Sequence, residues 1–192
     1  MADHSEQLID ELLVMDAQSG RVQAMEILVS RWQKRLWRYS CRITGDGEAA
    51  WDVTQEAWLA IVRGITRLND PARFRPWAFR IATNKARDWI RKNACTRQRA
   101  ADPAGAARQP DSEITDDLHT ILRRLPEKSR TVLTLYYLEE FALADVARIL
   151  RIPRGTVKSR LHAARAEFKK LWQRRDQAQP AELPAFQEGD RK

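Results

Sequence analysis

Residues 75–92 read RPWAFRIATNKARDWIRK, and six of them form a chemical set: Trp77, Arg80, Asn84, Arg87, Asp88 and Arg91. At about 100° per residue these fall within roughly a third of a helical circumference. Ala78, Ala82, Ala86, Trp89 and Ile90 fall on the opposite side. A helix built this way is anchored by one face and offers an aromatic ring, an amide and several guanidinium groups on the other. Trp77 is equally suited to closing a loop onto the core, since tryptophan packs more often than it serves as a platform. Asp88 is a poor partner for an anion and is suited instead to orienting Arg87 or Arg91 on its own face.

A second set lies in ALADVARILRIPRGTVKSRLHAARAEFKKLW. Two amphipathic helices are separated there by a very short turn at Arg151 and Ile152, which is the form of a helix-turn-helix. Pro153 starts the second helix, whose stripe of Val157, Leu161, Ala164, Phe168 and Leu171 must face a core. The other side carries Gly155, Lys158, Ser159, His162, Arg165 and Lys169. Gly155 has no side chain to hold a DNA backbone away, and Lys158, Ser159 and His162 reach phosphates or base edges. Basic residues on one amphipathic helix are ordinarily a solvated face. The short turn, the proline start, the early glycine and the charge imbalance coincide here, and together they point to duplex DNA.

Charge over the whole chain agrees. Its 192 residues are 43% hydrophobic and carry a formal charge of +8, with a pI near 9.9. From Arg73 to Arg99 there are nine Lys/Arg against the single acid Asp88, and from Arg151 to Arg175 nine against Glu167. Two separate basic surfaces and a polyanionic partner are implied. No apolar run is long enough to cross a bilayer, and the N-terminal MADHSEQLIDELL is acidic and amphipathic, unlike a signal peptide. Cys41 and Cys95 lack CxxC spacing and the three histidines are isolated. A reduced, cytoplasmic protein with no metal and no cofactor is expected.

The elements that must position these sets read as helices throughout, and β-branched alternation is absent. An all-α fold of two small helical domains is predicted. Helices are expected at about 7–16, 22–44 and 48–68, with the GDG at 45–47 as a breaker. The loop NDPARFRP ends in Pro76, suited to the first turn of the next helix, which runs to about Asn93. AADPAGAARQPD, residues 100–111, reads as a flexible linker, a second helical unit spans about 112–175, and the tail reads as disordered.

DVTQEAWLAIVRG, then WAFRIATNKARDWIRK, then LRRLPEKSRTVLTLYYLEEFALADVARILRIPRGTVKSRLHAARAEF resemble, in that order, the bacterial RNA polymerase sigma factors of the sigma-70 family. The likeness is to the small extracytoplasmic-function (ECF) group. It covers about residues 7–93 as region 2 and 113–172 as region 4. With it the chain divides into a region 2 domain over 1–95 and a region 4 helix-turn-helix domain over 113–175, and outside the resemblance composition leaves a flexible linker over 96–112 and a disordered tail over 176–192. The function implied is binding of core RNA polymerase and promoter-specific initiation, including opening of the minus-ten element.

Residue roles follow from the same resemblance. The face of Trp77, Arg80, Asn84, Arg87, Asp88 and Arg91 would meet the displaced strand of promoter DNA, and the loop residues Asn69, Asp70, Ala72, Arg73, Phe74 and Arg75 would help capture an unstacked base. The chemistry agrees: arginine neutralises phosphates, an amide pairs with base edges and an aromatic offers a stacking platform. Arg154, Gly155, Thr156, Lys158, Ser159, His162 and Arg165 would read the minus-thirty-five duplex. Asp52, Gln55 and Glu56 would dock on core polymerase, although Ala49, Ala50 and Trp51 replace acids common before the Gln-Glu pair. Before the helix-turn-helix, Glu140 and Ala142 stand where the family commonly has Gly and a Ser cap. An anti-sigma factor is a further partner that the family implies.

Two other classes compete. An autonomous helix-turn-helix regulator of duplex DNA would explain residues 113–172 and leave the first domain without a task. An RNA-binding module would be expected to show a sheet or KH-type signature. An enzyme is disfavoured, because the sequence has no Gly-rich phosphate loop, metal-ligand cluster or nucleophile-base pair at recognisable spacing.

Overall fold

The structure is a computed structural model that describes residues 2–97 and 116–178. Helix α1 (Ala2–Gln18) turns through Gly20 into α2 (Val22–Thr44), and α2 lies against α3 (Gly47–Gly64). The GDG sequence makes the second corner. Gly45 takes the left-handed conformation at φ 73° and returns its N–H to Cys41 O at 2.8 Å. Asp46 then caps α3, its side chain accepting from Glu48 N at 3.0 Å and Ala49 N at 3.1 Å. One residue type ends a helix and the next begins another, for the usual reasons of αL tolerance and N-capping.

The third helix is shorter than its apolar period suggested. It closes at Gly64, and a 3-10 turn, Ile65–Arg67, follows. A second 3-10 turn, Pro71–Arg73, leads into α4 (Phe74–Arg97), so Pro76 is the third residue of that helix. Helices α1 to α4 enclose Val14, Leu28, Leu36, Ile43, Ile61, Phe74 and Phe79. Ala78, Ala82 and Ala86 of α4 are fully buried, as the alanine stripe requires. Between α2 and α4, Tyr39 Oη and Thr83 Oγ1 are 2.6 Å apart in the core. Thr83 donates its only hydroxyl proton to Phe79 O at 2.6 Å, so Tyr39 is the donor of the shared bond. Cys41 is a buried thiol, 6% exposed.

The second unit contains α5 (Asp116–Arg124), α6 (Glu127–Leu133), a π-helical turn at Thr134–Leu138, α7 (Leu143–Leu150) and α8 (Arg154–Ala178). Leu135, Val146, Ile149, Val157, Leu161 and Ala164 are buried at its centre. Phe168 and Leu171 are half-buried against it, completing the stripe read from the sequence. Among the described residues there is no strand, and no helix is long and apolar enough to cross a membrane. The stretch read as a linker, 96–112, begins inside α4; the rest of it lies outside the described residues. The stretch read as a tail, 176–192, begins inside α8 and otherwise lies outside them too.

Candidate nucleic-acid interface

The α4 stripe is assembled as the spacing requires, but its members do different work. Asn84 and Arg91 are exposed, while Trp77, Arg80, Arg87 and Asp88 are half-buried. Asp88 accepts from Arg91 Nη2 at 3.1 Å, one turn along the same face. It therefore orients a guanidinium, which is what its charge suggested. Arg87 turns away to Glu127 of α6 at 2.9 Å.

Trp77 serves both packing and exposure. Its ring lies 6.2 Å from that of Phe74. A Cβ on Gly64 would stand 3.2 Å from Trp77 Cζ2, tighter than an ordinary carbon contact. Gly64 thus lets the indole lie against the end of α3, a requirement that no periodicity reveals.

The loop before α4 is prebuilt by Asp70. Its carboxylate accepts from Ala72 N at 3.2 Å and from Arg73 Nε at 2.8 Å. Gln18 of α1 donates to Ile65 O at 2.9 Å and Leu68 O at 2.7 Å, fixing the approach to that loop. Asn69, Asp70, Ala72 and Arg73 are exposed. Phe74 is not: it is 1% exposed and packs edge-on against Trp32 at 5.9 Å. The expectation that Phe74 touches DNA is corrected on that ground, since its ring is spent in the core. Arg75 is half-buried and donates to the backbone carbonyl of Glu139.

In α8 the candidate residues face outward. Arg154, Gly155, Lys158, Ser159, His162 and Arg165 are exposed and Thr156 is half-buried. A Cβ at Gly155 would meet no atom within 4 Å, so nothing inside the chain demands glycine there. Close approach by an external backbone remains a reason for it. The preceding turn is tight: Arg151 is left-handed at φ 54°, and Ile152 N bonds Ala147 O at 3.1 Å. Arg165 is partly diverted, lying 5.5 Å over the Tyr137 ring.

On α3, Asp52, Gln55 and Glu56 are all exposed and lie together on one side. Glu56 is bound by Lys85 of α4 at 2.9 Å, and this contact holds its carboxyl below the usual carboxylate range. Trp51, 45% exposed, stacks at a tilt on Trp37 with 5.3 Å between ring centroids. Leu59 and Val62 extend that exposed face with 55% and 49% exposure. No group of three or more His, Cys, Asp or Glu among the described residues could hold a metal ion.

Residues 28–96 match the Sigma-70 region 2 family, and residues 115–168 match the Sigma-70, region 4 family. The chain belongs to the sigma-70 family. The ECF RNA polymerase sigma-E factor of Haemophilus influenzae is 31% identical over 183 residues, which cover 84% of this chain and 94% of that protein. The ECF sigma factor SigW of Bacillus subtilis is 29% identical over 174 residues, covering 82% and 93% of the two chains. Among solved structures, CnrH in complex with the cytosolic domain of CnrY is similar with a TM-score of 0.65 and 28% identity, over 86% of this chain and 98% of that one. The sigma factor RpoE of Bartonella quintana, in complex with the anti-sigma factor NepR, shares the fold at a TM-score of 0.64 and 21% identity, over 77% and 96%. The sigma factor thus carries both family regions, in the family's order.

Proposed function

We propose that this ECF sigma factor docks on core RNA polymerase through Asp52, Gln55 and Glu56, holds the opened minus-ten strand on the α4 stripe, and reads the minus-thirty-five duplex with α8. The observation that carries this reading is the pairing, in one chain, of an outward amide-and-guanidinium face on α4 with an outward basic face on α8. Asn84 supports base-edge pairing because its amide both donates and accepts. Arg80 and Arg91 supply phosphate neutralisation, and Trp77, half-buried beside Gly64, supplies an aromatic ring for stacking. Asn69 and Arg73 flank the same loop, with Asp70 holding it in shape.

The reading gives the chain no catalytic step: polymerase does the chemistry, and this protein selects where. It acts in the cytoplasm, where polymerase and chromosome are. An anti-sigma factor is a fitting partner, since the similar CnrH and RpoE structures are complexes with the cytosolic domain of CnrY and with NepR.

Run-off transcription with purified core polymerase on genomic fragments tests the proposal. Stimulated, promoter-specific start sites are expected, with weak duplex binding by the free protein. Tight sequence-specific binding by the free protein, with no stimulation of core enzyme, would replace this reading by the autonomous regulator.

A further inference from the structure

Helix α1 carries none of the residues assigned to DNA or polymerase, yet it is fixed firmly to the first unit. Val14 and Ala17 are buried in the core, and Asp10, itself buried, accepts from Arg31 Nε of α2 at 2.9 Å. The C-terminal end of α1 is locked into the turn that follows. Ser19 Oγ donates to Met15 O at 3.0 Å, Arg21 Nη1 donates to Asp16 at 2.9 Å, and Gly20 takes the left-handed conformation at φ 88°. Gln18, the last residue of the helix, therefore stands on a fixed stem.

From that stem the half-buried Gln18 side chain crosses to the segment that leads into the loop before α4. Its amide nitrogen carries two protons, and it donates to Ile65 O at 2.9 Å and to Leu68 O at 2.7 Å. Both acceptors are backbone carbonyls, 47 and 50 residues further along the chain. The Ile65 side chain is buried and that of Leu68 packs half-buried against the core, so this segment is anchored by its side chains and by Gln18 along its backbone. Asn69 comes next, exposed, and then Asp70, whose carboxylate accepts from Ala72 N and Arg73 Nε. Asn69 alone separates the carbonyl that Gln18 binds from the aspartate that shapes the following turn. Backbone between helices has no repeating ladder to fix it, and side-chain bonds of this kind supply what the ladder does not.

We propose that Gln18 is a positioning residue for promoter selectivity: from the end of α1 it sets the backbone at Leu68, and through it the place of Asn69 and Arg73 against an unstacked base. That the loop meets such a base rests on the function proposed above; that Gln18 holds the loop does not. A base edge is read by a donor and an acceptor that must both be in place, so a small shift of the backbone at Leu68 is felt at the Asn69 amide. The requirement on Gln18 is chemical as well as steric. Methionine has similar reach and no donor. Glutamate would set a negative charge against two carbonyl oxygens, whereas lysine brings three donors on one nitrogen.

The test uses the full chain with core polymerase and compares wild type with Gln18→Met, Gln18→Glu, Gln18→Lys, Asn69→Ala and the double variant Gln18→Met with Asn69→Ala. Initiation is measured on one promoter and on copies of it substituted singly across the minus-ten element, and the ratio of the two rates is the selectivity. A general loss of folded protein lowers both rates alike, so the ratio separates positioning from stability. Gln18→Met is expected to lower the ratio about fivefold or more at the position where Asn69→Ala lowers it, the lower end of what a base contact is worth. Gln18→Glu should do at least as much, and Gln18→Lys should restore most of the loss. The double variant should be no worse than Asn69→Ala, because residues that act through one contact do not add. An unchanged ratio in Gln18→Met, or additive losses in the double variant, would overturn the proposal. Hydrogen exchange in the free protein reads the loop itself: the Leu68 and Arg73 amides, which bond Ile65 O and Asp70 O at 3.1 and 3.0 Å, should exchange faster in Gln18→Met. If Asn69→Ala leaves every ratio unchanged, the reading of the loop as a base-capturing element fails and the selectivity role of Gln18 fails with it. Faster exchange would then still show Gln18 holding the loop, and unchanged exchange would overturn that as well.

Discussion

Glu56 of α3 and Lys85 of α4 are joined at 2.9 Å, so the carboxylate at the centre of the proposed polymerase patch is held from the helix that carries the proposed DNA face. The pair is largely exposed, and such pairs are worth less than about 1 kcal/mol. Glu56→Lys should therefore leave stability almost unchanged and weaken core polymerase binding by about tenfold or more, the scale seen when a charge at a docking surface is reversed. Adding Lys85→Glu restores the intramolecular pair. Core affinity in a pull-down or titration should stay low in that double variant. Full recovery would mean that Glu56 matters only through Lys85.

The buried bond between Tyr39 and Thr83 ties α2 to α4 directly beneath the stripe. With Thr83 donating to Phe79 O, the Tyr39 hydroxyl is the sole donor to Thr83 Oγ1. Tyr39→Phe keeps the packing against Phe79 at 5.0 Å and removes only that bond. A loss of about 1 kcal/mol in chemical denaturation is expected, the typical net worth of such a bond. Burial also drives the Tyr39 phenol far above its usual range, so the loss should be independent of pH between 6 and about 9.

Ala142 stands at the N-cap of α7 with extended backbone and no side-chain cap. A serine there has the conformation needed to accept from the first turn, and supplying such a cap is worth about 1 kcal/mol. Ala142→Ser should raise the melting temperature of the second unit by several degrees while leaving Lys158 and His162 untouched. An unchanged melting temperature would show that the packing of Val146, Ile149 and Leu150 already saturates the stability of α7.

What the sequence disclosed follows from what leaves a period. The alanine stripe of α4 and the Val157–Leu161–Ala164 stripe of α8 repeat with the helix, so both their buried and exposed faces were legible. GDG and Pro153 mark corners by backbone preference, and both corners stand where they were read. Phe74 was given a DNA role by resemblance alone, and no period of its own says which way its ring turns; contact with Trp32 draws it inward. Glu139 gave no sign at all. A lone glutamate after a helix reads as solvated, and only the approach of Arg35 and Arg42, about a hundred residues earlier in the chain, makes it buried. Gly64 likewise acquires its meaning from Trp77, which reaches it only through the fold.

The two DNA-reading faces differ in the state of the DNA they meet, and that difference separates them experimentally. Asn84 is exposed on α4, so Asn84→Ala should leave the fold intact. It should impair opening and relax selectivity at the minus-ten element, at a cost of about 1–3 kcal/mol for a lost bidentate base contact. Lys158 and His162 are exposed one turn apart on α8. Replacing both by alanine should weaken recognition of the upstream duplex, with a lower salt dependence from the lost phosphate contact. On a template already unpaired across the minus-ten region, the opening step is supplied in advance. Polymerase carrying Asn84→Ala should recover initiation there, and polymerase carrying Lys158→Ala with His162→Ala should not, because its defect lies in duplex that remains paired. Equal rescue of both by the pre-melted template would show that the faces do not divide the work between single strand and duplex.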